Sequence, residues 1–221
     1  AALEPLRKRD GTLPLYHFHA ALLNDVAGDM AEAETQYLAG SGDEANPSYR
    51  TVEVLGGFYQ RAGKPEAARA LYQRFLEQQP SSQLLDEPLA RLKSGKPPAK
   101  TVRNGREGAA EALFGIAGVV ARQDAPEAAL ILARYGLALR PDFPMLQLVT
   151  GQLLDSFGRH QAANDLYGAI DPASSLSWSA RLAMAVNLNR LGRFDEAAEL
   201  LRKMGQERSH DPEPLIALAD L

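Results

Sequence analysis

Apolar residues recur along most of the chain at the three- and four-residue intervals that place side chains on one helix face. A clear example precedes Gly63, where Val52, Leu55 and Phe58 are spaced to form one buried stripe. No stretch longer than a few residues alternates apolar and polar side chains in the way a β-strand does. The pattern therefore predicts an all-helical protein.

The same stretches contain a second pattern, in which a helix-breaking Gly or Asp is followed five residues later by Ala. It occurs at Gly28/Ala33, Gly63/Ala68, Asp124/Ala129, Gly158/Ala163 and Gly192/Ala197. The five breaking residues are separated by 35, 61, 34 and 34 positions. Because about 34 residues make one two-helix unit, the spacing predicts five helical hairpins with an insert of about 27 residues after the second.

Prolines indicate where several of these helices begin and end. Pro65 and Pro126 stand at the predicted starts of second helices, where the missing N–H costs nothing. Pro80 and Pro141 follow the predicted ends of the same helices. After Pro212, the stretch EPLIALADL begins a further first helix, which indicates that the array continues past residue 221.

The insert contains a leucine-rich stretch and a stretch rich in Gly and Pro. Gln83–Lys93 has leucines at helical spacing and is predicted to be a short helix, with Ser81 and Ser82 as its caps. Ser94–Gly105 reads SGKPPAKTVRNG, a composition that ends any helix.

We interpret residues 94–104 as a solvated linker that joins sub-arrays 14–93 and 105–221 within a single domain of residues 1–221. The alternative is a basic docking segment, because positive residues cluster in and around this stretch. They are Lys93, Lys96, Lys100, Arg103 and Arg106. Since such charge runs are usually hydrated, the linker interpretation is favoured.

Composition and charge narrow the range of functions. The chain has 221 residues, 45% hydrophobic and 24% charged, which is the balance of a water-soluble globular fold. Its net charge of −4 disfavours a general nucleic-acid binder, which usually has a basic surface. Cysteine is absent, so disulfides, thiolate metal sites and a cysteine nucleophile are excluded. No run of about 18 apolar residues is present to span a membrane.

The repeat resembles the tetratricopeptide repeat family. That family places a small residue seven before the turn residue, a large apolar one four before it, Ala five after it, an aromatic nine after it and Pro near the end. The second hairpin matches at every place, with Gly56, Tyr59, Gly63, Ala68, Tyr72 and Pro80. The first hairpin matches least well, and the last has Leu201 in place of the aromatic residue. The resemblance covers nearly the whole chain except residues 1–12 and 81–104.

The resemblance implies a right-handed α-α superhelix, or solenoid, of about five hairpins. First helices of the family line a concave groove through positions two, five, nine, twelve and thirteen. The candidate partner-binding residues at such positions are Arg50, Glu53, Gln60, Arg61, Phe114, Arg122, Leu148, Gln152, Asp155, Leu182, Val186, Asn189 and Arg190.

Two subsets of these residues suggest different kinds of binding partner. Arg61, Arg122 and Arg190 recur at one place in three hairpins and are a candidate ladder for the carboxylates of a bound peptide. The alternative is that they only compensate the dipoles at the helix C-termini. Apolar groove positions such as Leu148 and Val186 suggest an amphipathic helix or an apolar ligand, unless they are buried between neighbouring hairpins.

No catalytic or metal-binding arrangement is indicated. His17 and His19 stand two residues apart in a predicted helix, so they point to different faces and share no metal. No Ser, His and acidic residue are patterned as a triad. The sequence thus predicts neither an enzyme nor a cofactor.

We expect a protein–protein interaction scaffold that binds a peptide or a partner protein, with no nucleic acid and no membrane span. The alternatives are a carrier that holds an apolar small molecule between helices, and a structural spacer whose ends self-associate. In their general sequence character the repeats are also similar to long repeat proteins that bacteria export to the periplasm or outer membrane. This similarity weakly favours a periplasmic or outer-membrane-associated localisation over a cytoplasmic one.

Overall fold

The computed structural model describes residues 3–8, 12–41, 47–80 and 82–221. These residues contain thirteen α-helices and no β-strand. The helices are α1 (Glu4–Arg7), α2 (Leu13–Ala27), α3 (Met30–Ser41), α4 (Tyr49–Arg61), α5 (Pro65–Gln78), α6 (Asp86–Ser94), α7 (Gly105–Arg122), α8 (Pro126–Leu139), α9 (Pro144–Ser156), α10 (His160–Gly168), α11 (Ser177–Arg190), α12 (Phe194–Glu207) and α13 (Glu213–Ala219). The prediction of an all-helical protein is confirmed.

Tight turns join five pairs of consecutive helices, which are α2/α3, α4/α5, α7/α8, α9/α10 and α11/α12. In each turn the predicted breaking residue has a left-handed backbone, with φ between 59° and 86°. The N–H that follows it donates to the carbonyl five residues earlier, at 2.8 to 3.4 Å, which satisfies a helix-end carbonyl as in a Schellman motif. Four of these residues are Gly, and the fifth, Asp124, is of a type that tolerates this backbone conformation.

The alanine five residues after each turn residue is buried. All five of these alanines are 0% exposed, as expected of small residues that allow close helix packing. The position nine residues after each turn is buried as well, and it holds Tyr37, Tyr72, Ala133, Tyr167 and Leu201. In four of the five hairpins this larger side chain is matched by a Gly or Ala seven residues before the turn, and in the α7/α8 hairpin both positions hold Ala.

The chain forms two compact units, and their boundary lies within α7. Unit 1 extends to Gly115, and unit 2 runs from Ile116 to Leu221. The largest fully buried side chains of unit 1 include Phe58, Tyr72, Phe75 and Leu85. Those of unit 2 include Phe143, Leu146, Tyr167, Leu201 and Met204.

The segment that joins α6 to α7 differs from its expected description as a solvated linker. It is non-helical, as predicted, but Val102 is only 3% exposed and belongs to the hydrophobic core of unit 1. Residues 94–104 are therefore packed against unit 1 over part of their length. The physical reason is that Val102 buries apolar surface that water would otherwise cover.

The short helix of the insert is present, although it begins three residues later than predicted. Helix α6 starts at Asp86, with Leu85 as its N-cap residue and no side-chain capping bond. Ser81, one of the two expected caps, lies outside the described residues. Pro88 stands in the first turn of α6, where its missing N–H is tolerated. Among the helices of the described residues, none is both long and apolar enough to cross a membrane.

Candidate functional site

Two first helices of unit 2 carry seven of the candidate residues, three of them apolar and four polar. Helix α9 contributes Leu148, Gln152 and Asp155, and helix α11 contributes Leu182, Val186, Asn189 and Arg190; we call this set the unit 2 face. Val186 is 45% exposed, and Leu148 and Leu182 are half-buried. Gln152 and Arg190 are exposed. The face thus offers apolar contact area beside groups that form hydrogen bonds and ion pairs.

A partly buried polar network joins α9, α10 and α11 through Asp155, itself a member of the unit 2 face. The Tyr167 hydroxyl donates to Asp155 Oδ2 at 2.8 Å, and Asn187 Nδ2 donates to Asp155 Oδ1 at 2.6 Å. The same amide is 3.0 Å from Asn164 Oδ1, and His160 Nδ1 lies 3.2 Å from Asp155 Oδ1. Burial, together with the hydrogen bond to Asp155, raises the pKa of the Tyr167 hydroxyl. Through these contacts Asp155 holds α9 and α11, the two helices of the unit 2 face, in a fixed arrangement with α10.

The three arginines of the candidate ladder lie in different surroundings. All three stand in the last turn of a first helix. Arg122 and Arg190 are exposed, and the described part of the chain supplies neither with an ion-pair partner. The Arg61 side chain is only 12% exposed and forms an ion pair with Asp25 of α2. Arg122 and Arg190 are therefore the members that remain accessible to a bound carboxylate.

The corresponding surface of unit 1 is covered by the chain itself. Its residues are Leu15 and Asp25 on α2 and Arg50, Glu53, Gly57, Gln60 and Arg61 on α4, which we call the unit 1 face. Arg61 Nη1 donates to the carbonyl oxygen of Ala99 at 3.3 Å, and Pro98 lies over Gly57. Lys100 Nζ donates to the carbonyl oxygen of Asp25 at 2.6 Å. Of the expected groove positions of α4, Arg61 is thus contacted by the segment that follows α6, which also covers Gly57.

Two further groups of the unit 1 face are engaged by neighbouring helices. Arg50 Nε donates to Glu111 Oε1 of α7 at 2.8 Å, and a second guanidinium nitrogen binds the other carboxylate oxygen. Arg50 Nη1 also contacts Glu53 Oε2 at 2.6 Å. Gln60 Nε2 donates to the Tyr72 hydroxyl at 2.9 Å. Phe114 lies on α7 and is half-buried.

A cleft of about 520 Å³ opens beside the C-terminal end of α2. It is lined by Asp25, Met30, Ala31, Glu34, Arg61, Ala62, Lys64 and Lys100. Five of these eight residues carry charge, and Lys64 contacts Glu34 at 2.6 Å within the cleft. An apolar molecule entering it would strip water from charged groups, so this cleft gives no support to the carrier alternative.

A buried histidine in unit 1 gives a prediction for the pH dependence of stability. Burial lowers the pKa of His19 below its usual value, and nearby Glu111 opposes the shift. The unfolded chain therefore binds a proton near pH 6.5, before the folded chain does. The free energy of unfolding should decrease as the pH falls from about 7.5 to 5.5.

The His19→Gln variant should lose that part of the pH dependence, measured by urea unfolding at several pH values. His210→Gln is the control, because His210 is exposed. An unchanged slope in His19→Gln would show that His19 does not contribute to it.

In two hairpins, a glycine of the first helix lies against the ring of a tyrosine of the second helix. A Cβ atom added to Gly56 would lie 2.3 Å from a ring carbon of Tyr72, and one added to Gly151 would lie 2.3 Å from a ring carbon of Tyr167. The two glycines hold the same position seven residues before the turn, and the two tyrosines hold the position nine residues after it. The resemblance in sequence is therefore matched by the packing of the side chains. In this respect the hairpins resemble those of tetratricopeptide repeats.

Comparisons with known proteins give low similarity. No family model matches the chain, and no curated protein matches it. A crystal structure of the MamA protein is 19% identical over 90% of this chain and 93% of that one, with a TM-score of 0.41. A tetratricopeptide repeat protein from Parabacteroides merdae is 21% identical over 95% and 72%, with a TM-score of 0.44. YrrB, described as a TPR protein with an unusual peptide-binding site, is 12% identical over 98% and 97%, also at 0.44.

These likenesses carry no argument about function, so we infer function from the residues of this chain alone. Of the candidate residues, those that lie on α9 and α11 are Leu148, Gln152, Asp155, Leu182, Val186, Asn189 and Arg190. Those that lie on α4 are Arg50, Glu53, Gln60 and Arg61. Sequence reasoning missed the role of Asp25 as the ion-pair partner of Arg61, and it missed the Lys100 contact with α2.

Proposed function

We propose that the chain is a non-enzymatic scaffold that binds a peptide or a segment of a partner protein on the unit 2 face. The observation that carries the proposal is the exposure of Val186, 45%, on a first helix whose neighbours are fixed by the Asp155 network. A solvent-exposed apolar side chain on a rigid surface gains free energy when a partner covers it. Because α9 and α11 are already held in place, little conformational entropy is lost on binding.

The polar members of the unit 2 face define the chemistry of the segment that it binds. Arg190 is exposed, and its guanidinium forms paired hydrogen bonds with carboxylates. Gln152 and Asn189 donate and accept hydrogen bonds from the same surface. A guest that matches the unit 2 face is therefore an amphipathic segment with a carboxylate placed against Arg190. Arg122 is a second candidate contact for such a carboxylate.

The proposal predicts that two substitutions on the unit 2 face weaken partner binding. Val186→Asp places a charge among the apolar side chains of the unit 2 face. Arg190→Glu reverses the charge that would meet a carboxylate. Each is expected to weaken binding by at least about tenfold, or about 1.4 kcal/mol. The affinity is measured by calorimetric titration with a partner first recovered by crosslinking in the source cells.

The matched control is Arg202→Glu, because Arg202 is exposed on α12, the second helix of the same hairpin. It makes the same charge change away from the unit 2 face and should leave the affinity unchanged. Equal affinities of Val186→Asp, Arg190→Glu and the wild type would contradict the proposal.

A further inference from the structure

We propose that residues 96–104 are a built-in ligand of the unit 1 face. They cover a second binding surface. When uncovered, this surface accepts an extended segment of another chain with the same chemistry, namely Pro, Lys two residues after it, and an apolar residue two residues after the Lys. This surface is separate from the unit 2 face, and the proposal holds whether or not that face binds a partner.

The covering segment alternates between inward and outward side chains, as an extended peptide does. Val102 is buried, and Pro98 and Lys100 are half-buried. Of the residues between and beside them, Pro97, Ala99 and Arg103 are exposed, and Thr101 is half-buried like Pro98 and Lys100. Two prolines in this non-helical stretch favour the extended backbone that peptide-binding grooves recognise. Residues 96–104 therefore lie on unit 1 in the way that a bound peptide lies on its receptor.

Each inward side chain has its own contact on unit 1. Pro98 Cγ lies 3.3 Å from the position that a Cβ of Gly57 would take, so the absence of a side chain at residue 57 makes room for the proline ring. Lys100 Nζ donates to the carbonyl oxygens of Asp25 and Val26, at 2.6 and 3.3 Å. These carbonyls end α2, where the helix dipole favours a positive charge. Val102 joins the hydrophobic core.

The backbone of the covering segment is recognised as well. Arg61 Nη1 donates to the carbonyl oxygen of Ala99, a contact that depends on no particular side chain of the segment. The ion pair between Arg61 and Asp25 orients the guanidinium for this bond. Main-chain hydrogen bonds give affinity, and pockets for alternate side chains give specificity, which is the usual division in peptide recognition.

Unit 2 shows the same surface without a cover. On α11, Val186 and Arg190 hold the positions of Gly57 and Arg61, six and two residues before the turn. Both Val186 and Arg190 are exposed, whereas Gly57 is buried and the Arg61 side chain is 12% exposed. The positions that the covering segment occupies in unit 1 are thus open in unit 2.

The covering segment is attached by few apolar contacts, so a competitor can replace it. Val102 is the one buried side chain within it, and its other contacts are the packing of Pro98 on Gly57, the ion pair of Arg103 with Glu107, and hydrogen bonds of the kind that an incoming peptide also makes. Segments with little buried apolar area open at low free-energy cost. While attached, however, the segment competes at an effective concentration of the order of millimolar.

The test uses the full chain and a fluorescent peptide with the sequence of residues 95–104, GKPPAKTVRN. The release variant is Pro98→Gly/Lys100→Ala, which removes two inward contacts and keeps Val102 in the core. Fluorescence anisotropy should show at least about tenfold tighter apparent binding of the peptide to the release variant than to the wild type, because the competing segment is weakened. Lys96→Ala is the matched control, since Lys96 is exposed, and it should behave as the wild type.

A locked variant tests the same surface from the opposite direction. The chain contains no cysteine, so Gly57→Cys/Pro98→Cys introduces a single pair whose close approach permits a disulfide. The oxidised chain should bind no peptide, and reduction should restore binding to at least the wild-type level. A peptide with Glu in place of the second Lys should bind neither the release variant nor the wild type.

Three results would overturn the proposal. One is peptide binding that is equal in the wild type and the release variant, and another is binding to the oxidised locked chain. The third is the absence of peptide binding to the release variant. Amide hydrogen exchange gives an independent measurement: in the wild type, residues 99–103 should exchange much faster than the centre of α4, and equal protection would show that the segment is a fixed part of the core.

Discussion

Replacing Glu111 with Gln is expected to lower the free energy of unfolding by about 3 kcal/mol. The Glu111 side chain is 1% exposed and receives two hydrogen bonds from Arg50, whose own side chain is 13% exposed. An amide of the same shape keeps the packing but removes the negative charge. The guanidinium is then left buried with Glu53 as its remaining carboxylate partner. Urea unfolding followed by circular dichroism measures the loss.

The control for this prediction is Glu207→Gln, which disrupts an ion pair of similar geometry at the surface. Arg181 contacts the two oxygens of Glu207 at 2.6 and 3.1 Å, and the Glu207 side chain is 40% exposed. Water solvates both groups when that pair is broken, so the expected loss is below about 1 kcal/mol. Equal losses in the two variants would show that burial of the Arg50–Glu111 pair adds nothing to its contribution.

The turns and small residues could be predicted from the sequence because they depend on local conformation. A residue such as Gly63 or Asp124 adopts the left-handed backbone at the turn of each hairpin, and the alanine five residues later is buried in every hairpin. These requirements are the same in each copy. Repetition therefore makes them visible without any knowledge of tertiary contacts.

Ion pairs between hairpins were not predicted, although the sequence contains an indication of one of them. Arg50 and Glu111 hold the same position, thirteen residues before the turn, in consecutive hairpins, and they have opposite charges. First helices that lie side by side bring such positions together. Asp25 and Arg61 hold neighbouring positions rather than the same one, so their pairing depends on the helix offset, which the sequence alone does not define.

The accessibility of the groove positions depends on elements outside the repeat. Arg61 and Arg190 are equivalent in the sequence pattern, but only Arg190 is exposed. The difference is caused by Asp25 and by the segment that contains Ala99, and neither is part of the hairpin to which Arg61 belongs. One apolar residue, Val102, in an otherwise polar stretch was the signal that this segment packs against unit 1.

Replacing Gly151 with Ala is expected to lower the free energy of unfolding by about 2 to 3 kcal/mol. The added Cβ would lie 2.3 Å from one carbon of the Tyr167 ring and 2.8 Å from two others, so the whole ring must move. Tyr167 is almost fully buried, and its hydroxyl donates to Asp155. A shift of the ring therefore also disturbs the Asp155 network of the unit 2 face. Thermal unfolding measures the loss, and partner binding should weaken in parallel.

The matched control is Gly205→Ala in α12, which adds the same methyl group to a helix of the same unit. Its Cβ would meet Leu215 at an ordinary 3.5 Å, so the variant should be unchanged or more stable by about 0.5 to 1 kcal/mol, as expected for Ala over Gly in a helix. Combining Gly151→Ala with Tyr167→Leu should cost less than the sum of the two single changes, because the smaller side chain removes the clash. Strictly additive losses would show that contact between residues 151 and 167 does not limit how closely α9 approaches α10.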